Sequence, residues 1–183
     1  RKPLTLADFD ANAGSVRIIF QTVCASTLLL CKKQVIEYIE DFAGPLGVAT
    51  KTEGLKKVCI VGGGVGCAIA LPIAQKLHSQ GCQVTSIIGF RNKELVILEE
   101  EFSACSQRLF VMTDDGSYKN KGNVCMPLSD MLGSGEAFDE VIAIGPLVMM
   151  KFTVEAVRPY GIPCTVSMNP IMIDGTGMCG GCR

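Results

Sequence analysis

A chain of 183 residues can form one complete domain and part of a second one. With 48% hydrophobic and 19% charged residues we expect a compact globular protein, and because Gly, Pro or charge interrupts the long apolar runs, we expect no transmembrane helix. The formal net charge of -1 and the lack of basic patches indicate that neither nucleic acid nor a membrane surface is a partner.

The first 50 residues contain too few predicted elements to make a domain. A β run is predicted at residues 16–23, a short helix after Ser26-Thr27, and a turn at Gly44-Pro45-Leu46-Gly47. Two or three strands bury an apolar face poorly by themselves. We therefore expect this piece to pack on the layer that follows it, or to belong to a β-barrel that begins upstream. The best candidate linker is at residues 51–54.

From Lys57 onward, short β-branched runs alternate with helical patterns, which is typical of a doubly wound α/β fold. Five strands are predicted at residues 57–61, 83–88, 109–113, 140–144 and 164–168, with crossover helices at 66–80, 94–105, 124–132 and 147–157. The strands are apolar enough to be covered on both faces. With right-handed crossovers they form a five-stranded parallel Rossmann-like sheet, preceded by a partial β-barrel piece.

The first strand of this layer leads directly into a glycine-rich turn and then a helix. Backbone amides at such a helix N-terminus can approach a pyrophosphate closely. The spacing departs from G-x-G-x-x-G because Cys67 stands where the third glycine would be. A glycine-rich turn without a nucleotide is the alternative. The residues predicted to bind a dinucleotide here are Gly62, Gly63, Gly64 and Gly66.

Three more loops follow predicted strands, at the edge where open α/β sheets bind ligands. Arg91 and Lys93 follow the second strand in place of an acidic residue, and they either contact a phosphate or form a solvated basic turn, which leaves NAD and NADP both open. Asp114 and Asp115 follow the third strand. Taken singly, these loops are more often plain turns, but together they predict a cofactor-binding edge. The loop after the fourth strand adds a Gly-Pro turn that can support a planar ring, with Gly145, Pro146 and Met149 as candidates.

Most of the ten cysteines look like small hydrophobic residues rather than a disulfide framework. Eight are scattered singly through apolar segments, which indicates buried, reduced thiols. The start of the sequence also lacks the pattern of a secretory signal, so we expect a cytoplasmic protein. The cysteines predicted to be buried are Cys59, Cys67, Cys82, Cys105 and Cys164.

The C-terminal segment carries a different cysteine pattern. Plant-type [2Fe–2S] sites use C-x4-C-x2-C, and here Asp174 takes the first place while Cys179 and Cys182 keep both gaps. A zinc ribbon would need a second C-x-x-C pair, which the sequence lacks, and a thioredoxin-like pair would open a helix after a strand. A zinc module at residues 174–182 stays an alternative.

The motifs described above make the sequence resemble one family over essentially its whole length. This family comprises the flavin- and [2Fe–2S]-containing small subunits of electron-bifurcating, sulfide-dehydrogenase-like ferredoxin:NADP oxidoreductases. These subunits are related to the electron-transfer subunit of dihydroorotate dehydrogenase. The matching segments are Pro3-Leu4-Thr5-Leu6-Ala7-Asp8, Gly44-Pro45-Leu46-Gly47, Gly62-Gly63-Gly64-Val65-Gly66, Thr113-Asp114-Asp115-Gly116-Ser117-Tyr118, Ile144-Gly145-Pro146, and the run from Asn169-Pro170-Ile171-Met172 to Cys182.

The resemblance implies hydride transfer between NAD(P)H and FAD, then single-electron steps through a [2Fe–2S] cluster to ferredoxin or a larger, glutamate synthase-like flavoprotein subunit. It implies that Asp174, Cys179 and Cys182 are cluster ligands. It also implies an FAD-binding barrel part at 1–53, an NAD(P)-binding domain at 54–170 and the start of a cluster segment at 171–183. By the same resemblance, the FAD contacts are Pro3, Leu4 and Thr5 beside the ribityl and phosphate groups, and Ser26, Thr27, Gly44 and Gly47 near the flavin.

Family members extend beyond both ends of this sequence, so we expect these residues alone to hold nucleotide better than FAD or the cluster and to lack the full activity. A non-catalytic dinucleotide-sensing module is one alternative. An ordinary two-substrate dehydrogenase is another, but it needs an acid or base, and Tyr118, Tyr160 and the single histidine, His78, have no convincing partner.

Overall fold

The computed structural model describes residues 3–44, 46–168, 172–173 and 175–180. Its main body is a six-stranded, all-parallel sheet with helices on both faces. This confirms the predicted Rossmann-like class, with six strands where five were predicted. The strands are β3 (Lys57–Gly63), β4 (Gln83–Phe90), β5 (Arg108–Thr113), β6 (Asn120–Lys121), β7 (Glu140–Ile144) and β8 (Cys164–Val166).

The strand order is β6-β5-β4-β3-β7-β8, so the chain reverses direction across the sheet between β3 and β7. Alternate residues of β3 point to opposite faces and enter two separate cores. Val58 and Ile60 belong to one buried cluster, whereas Cys59 and Val61 belong to the other. The buried runs predicted from sequence therefore serve both faces of the sheet, as a parallel sheet requires.

The helices of the described residues match the predicted crossovers closely, with one exception. Predicted helix 94–105 is interrupted: a short 3₁₀ turn, Lys93–Leu95, precedes the helix that begins at Glu99, because Leu98 adopts a left-handed backbone with φ 62°. The helices are α1 (Ala25–Cys31), α2 (Gly66–Ser79), α3 (Glu99–Cys105), α4 (Cys125–Gly133) and α5 (Leu147–Val157), and a second 3₁₀ turn spans Arg158–Tyr160.

The N-terminal piece is a two-stranded antiparallel hairpin of β1 (Leu6–Asp10) and β2 (Ser15–Ile18). The predicted run at 16–23 is therefore shorter than expected. The hairpin packs on α2 and buries Ala7 completely, and Arg17 Nη1 lies 3.1 Å from Glu101 Oε1 of α3. This is the packing on the following layer that the sequence predicted.

A cluster of three charged side chains links the amino-terminal ends of the strands, at the edge of the sheet opposite the predicted binding edge. Glu136 Oε1 lies 2.8 Å from Lys57 Nζ and also accepts a hydrogen bond from Arg108 Nη2. Burial opposes ionisation of Glu136, but the hydrogen bonds from Lys57 and Arg108 outweigh it and lower the pKa of the carboxyl. Among the described residues, none of the helices has the length and apolar character needed to cross a bilayer.

Candidate nucleotide-binding site

Four loops stand in a row at the carboxyl-terminal edge of the sheet: residues 62–66, 89–93, 113–117 and 145–150. Because the strands are parallel, all their carboxyl ends meet at this edge. The loops after β3 and β7 are immediate neighbours across the point where the strand order reverses. The loop at 113–117 lies two strands from β3, roughly 10 Å away, and reaches the glycine turn through the loop after β4.

The glycine turn combines close packing on one side with open space on the other. An ideal Cβ at Gly66 would lie 2.8 Å from Gly145 Cα, so only glycine lets the start of α2 pack against the end of β7. Gly64 has φ +54° and nothing within 4 Å of an ideal Cβ position. Gly64 N also donates to Gly89 O at 2.9 Å, which ties the turn to the end of β4. The turn therefore leaves room for a ligand above Gly64.

Cys67 belongs to the core rather than to the ligand side of the turn. Its Sγ would be 2.9 Å from an ideal Cβ on Gly62, so Gly62 makes space for the thiol. Burial raises the pKa of Cys67 to about 12, and the group stays a neutral thiol. The missing third glycine of the motif is thus replaced by a small apolar side chain.

The loop after β7 lies directly against the glycine turn. An ideal Cβ on Gly63 would be 3.0 Å from Pro146 Cδ and still closer to Met149 Sδ, and one on Gly145 would be 2.8 Å from Met149 Cε. The half-buried Met149 side chain therefore fills the space over Gly63 and Gly145, while Pro146 is exposed. The part of the crevice at Gly63 is occupied by a flexible thioether, and the open part is at Gly64.

The loops after β4 and β5 are joined by hydrogen bonds and carry charges of both signs. Asp115 N donates to Arg91 O at 3.3 Å, and Lys93 N donates to Ser117 Oγ at 2.8 Å. Arg91, Asp114 and Asp115 are all exposed. Hydrogen bonds from the Ser117 hydroxyl and backbone N–H lower the pKa of Asp115, so it is ionised at neutral pH.

Asn92, next to Arg91, carries a feature that the sequence does not reveal. Its Oδ1 is buried and has no hydrogen-bond partner, the one such side-chain atom recorded for the described residues. Asparagine in a turn is common, and only the three-dimensional packing distinguishes this amide from a solvated one. No sequence signal beyond its place after β4 would have identified it.

The residues predicted to contact FAD lie in the N-terminal part of the chain. The Thr27 hydroxyl is buried and engaged locally: Oγ1 donates to Cys24 O at 3.0 Å and accepts from Cys24 N at 3.1 Å. This caps α1, and a flavin role for Thr27 stays a prediction. Pro3, Thr5, Ser26, Gly44 and Gly47 are exposed and Leu4 is half-buried.

The predicted cluster segment is described only in part, because Asp174 and Cys182 lie outside the described residues. Cys179 is exposed. An ideal Cβ on Gly175 would lie 3.4 Å from Leu46 Cδ1, so this segment runs beside the predicted flavin turn at 44–47. Within the described ranges there is no group of three metal-ligating side chains, and the cluster ligands stay a prediction.

The arrangement favours binding and positioning over side-chain acid–base chemistry. His78 is exposed near the end of α2, away from the carboxyl-terminal edge of the sheet. The four loops offer backbone groups, an open glycine turn and a thioether surface. Such a site can orient a dinucleotide whose own chemistry carries the reaction.

Comparisons with known proteins show relatives of the whole chain. No family model matches the chain. It is 43% identical over 183 residues to a Thermotoga maritima protein named dihydroorotate dehydrogenase B (NAD(+)), electron transfer subunit homolog, and covers 64% of that protein. It is 34% identical over 185 residues to the dihydroorotate dehydrogenase B (NAD(+)) electron transfer subunit of Geobacillus thermodenitrificans, of which it covers 69%. Both matches include the entire chain.

A solved structure of an NADH-dependent reduced ferredoxin-NADP oxidoreductase, studied for flavin-based electron bifurcation, is similar over the whole chain. The TM-score is 0.91 at 41% sequence identity, and the match covers 66% of that structure's chain. The present chain spans somewhat less than two thirds of the length of the first curated relatives, 64% in each case.

Proposed function

Because this chain belongs to the family of dihydroorotate dehydrogenase B electron transfer subunits and their homologues, we propose that it is the nucleotide-binding part of an NAD(H)-dependent electron-transfer flavoprotein. The names of the relatives specify NAD, which favours NAD(H) over NADP(H) for this chain. Since the chain spans 64% of the first curated relatives, the activity is proposed for the longer protein.

The observation that carries the proposal is the open glycine turn at the reversal point of the sheet. Gly64 faces empty space at the N-terminus of α2, and no side chain caps that helix. The helix dipole favours an anion there, and a diphosphate fits this position. Ligands of open α/β sheets bind at such a reversal point.

A dinucleotide lying across this edge would extend in two directions from Gly64. Its adenosine end would lie toward the loops after β4 and β5, and its nicotinamide end toward Gly145 and Pro146. Met149 lies under that second position. A methionine thioether is soft and flexible, so it can shift aside or form the apolar surface against which the nicotinamide ring packs.

FAD is proposed to bind on the N-terminal side, with residues 1–53 as part of its barrel, 54–170 as the nucleotide domain and 171–183 as the start of the cluster segment. The hairpin packs on α2 and brings the N-terminal residues against the nucleotide domain, which supports a flavin position beside that domain. When bound, FAD supplies the acceptor for a hydride and can release electrons one at a time.

Onward electron transfer is proposed through a [2Fe–2S] cluster held by Asp174, Cys179 and Cys182, with ferredoxin or a larger flavoprotein subunit as partner. The ligand spacing supports this proposal. The contact between the segment at 175 and Leu46 would place the cluster side near the flavin side. Iron analysis and an electron paramagnetic resonance spectrum of the longer protein test it, and zinc in place of iron would contradict it.

The nucleotide site is tested by titrating NAD⁺ into the chain by isothermal titration calorimetry, using Gly64→Ala as the variant. The added methyl group enters the space proposed for the diphosphate without striking the protein. Gly14→Ala is the matched control, because Gly14 has a similar φ of +63° and equally open surroundings in the hairpin. Both variants carry left-handed strain of about 1–2 kcal/mol, but only Gly64→Ala should lose NAD⁺ binding.

Failure of the unmodified chain to bind NAD⁺, or equal binding by Gly64→Ala, would contradict the proposal. The flavin part is tested on the longer protein, which should be yellow and should reduce an artificial acceptor with NADH. A colourless protein that binds NAD⁺ and takes up no FAD would instead favour the dinucleotide-sensing module.

A further inference from the structure

The outward side of α5 carries large apolar side chains that stay exposed in the fold. Leu147, Val148 and Phe152 are 63%, 64% and 54% exposed, and only Lys151 and Glu155 add charge to this side of the helix. Val148 and Phe152 are four residues apart, so they are neighbours on the helix surface. A surface helix normally turns polar residues outward, as α2 does, whose exposed residues are all polar or charged. Contiguous exposed apolar patches mark interaction surfaces, so α5 is a candidate for one.

A groove of about 270 Å³ extends this surface to the edge of the sheet. Met150 and Val154 of α5 line it, and so do Val166 and Met168 at the end of β8. β8 is the last strand of the six-stranded sheet, and its outer side pairs with no strand among the described residues. The groove therefore runs between a helix and an open sheet edge. Because these lining groups are aliphatic or thioether groups, the groove favours apolar side chains over polar ones.

The charged residues that line the groove leave one positive charge unpaired. Lys151 Nζ lies 3.9 Å from Glu155 Oε1, so these two charges pair with each other. Arg158 also lines the groove, and it is exposed and has no ion-pair partner among the described residues. A carboxylate on a bound protein would complement this guanidinium. Arginine, aromatic residues and methionine are enriched at interfaces between proteins, and Arg158, Phe152 and Met168 supply all three here.

The position of the groove in the chain indicates which protein covers it. Under the proposed function, electrons leave through the segment at 171–183 to a larger flavoprotein subunit. Met168, which lines the groove, is followed directly by the run of residues that leads into this segment. A protein that binds in the groove is thereby held beside the proposed route of the electrons. The other large group of exposed apolar residues, which includes Val35 and Ile36, lies in the N-terminal piece proposed to belong to the FAD barrel.

We propose that the outward side of α5 and the groove beside it form the docking surface for the larger flavoprotein subunit. An apolar side chain of that subunit enters the groove between α5 and β8, and one of its carboxylates faces Arg158. The inference rests on the proposed function and adds the surface at which the two subunits meet. Two other occupants would behave differently. A second copy of this chain would form a homodimer, and another part of the same longer chain would stabilise that chain without any partner.

The test uses the longer protein produced together with the larger flavoprotein subunit, and analytical ultracentrifugation measures the dissociation constant of the complex. Phe152→Glu and Met168→Glu each place a charge on the apolar surface and should weaken the complex about tenfold or more. Arg158→Glu should weaken it about threefold to tenfold, and less at high salt, because it repels the carboxylate of the other subunit. Leu95→Glu is the matched control, since Leu95 is 48% exposed in the 3₁₀ turn after β4, and it should leave the dissociation constant unchanged.

Measurements on the longer protein alone separate docking from folding and from nucleotide binding. Phe152 and Met168 are exposed, so their variants should keep the Tm and the NAD⁺ affinity of the unmodified protein. A complex that forms equally well with both variants overturns the docking surface while the proposed function stands. A fall in Tm of several degrees without the partner shows that the same chain covers the groove, and a homodimer that both variants dissociate shows a second copy there. Either result overturns the proposal. If the unmodified protein binds NAD⁺ but no flavoprotein subunit, the proposed partner and this surface fail together and the nucleotide site stands.

Discussion

Replacing Gly66 by alanine would force a methyl group into space held by the backbone of β7. An ideal Cβ there lies 2.8 Å from Gly145 Cα and closer still to the Ile144 carbonyl oxygen, inside the 3.0 Å limit that real Cβ atoms essentially never cross. Both neighbours are backbone atoms at the end of a central strand, so α2 has to shift. Overpacking of this severity costs about 3 kcal/mol, and the better helix propensity of alanine offsets about 1 kcal/mol. We expect Gly66→Ala to lower the free energy of unfolding by about 2 kcal/mol.

Thermal unfolding followed by circular dichroism measures this effect, and about 2 kcal/mol corresponds to a fall in Tm of roughly 4–8 °C for a chain of this size. NAD⁺ affinity should fall as well, because the start of α2 moves. Gly133→Ala at the end of α4 is the control, since its surroundings are open and its φ is not left-handed. Its Tm should stay the same or rise slightly. A Gly66→Ala protein with the same Tm as the unmodified chain would refute the reasoning.

Three further outcomes are expected. Lys57 and Arg108 depress the folded-state pKa of Glu136 below the unfolded value of about 4.3. The carboxylate therefore stabilises the fold above that pH, and this contribution disappears as the pH falls through the folded pKa. The Tm difference between the unmodified chain and Glu136→Gln should shrink on acidification. Thr113→Val removes a buried hydroxyl that donates to Tyr118 O at 2.8 Å, and denaturant unfolding should reveal a loss of about 1–3 kcal/mol. Thiol titration of the native chain should label exposed Cys31 quickly and Cys67 only after unfolding, and rapid labelling of Cys67 would contradict its burial.

The elements that sequence predicted well are those with a strong local pattern. Predicted ranges 140–144 and 147–157 agree with β7 and α5 to the residue, because an apolar strand, a Gly-Pro turn and a helix follow one another. The two-residue strand β6 is polar and short, so it has no pattern to detect. The break at Leu98 depends on a left-handed non-glycine residue, which composition does not signal.

The candidate site likewise contains some features that the sequence predicts and others that it does not. The glycine turn and the loop at 145–150 could be located from sequence because glycine and proline act through the backbone, and the structure brings these two loops into contact. The filling of the space over Gly63 by Met149 could not be predicted, since it depends on how the first turn of α5 packs against the end of β3. The unpartnered oxygen of Asn92 also depends on tertiary packing.

The packing of Met149 across two glycines has a consequence for how this edge tolerates mutation. A side chain at Gly63 or Gly145 collides with the same thioether, so the three positions are energetically coupled. A shorter residue at 149 would leave a void by itself, yet it would make room for a methyl group at 63. Pairs of changes that are individually harmful can thus be jointly acceptable, and single substitutions underestimate the range of sequences that fit this junction.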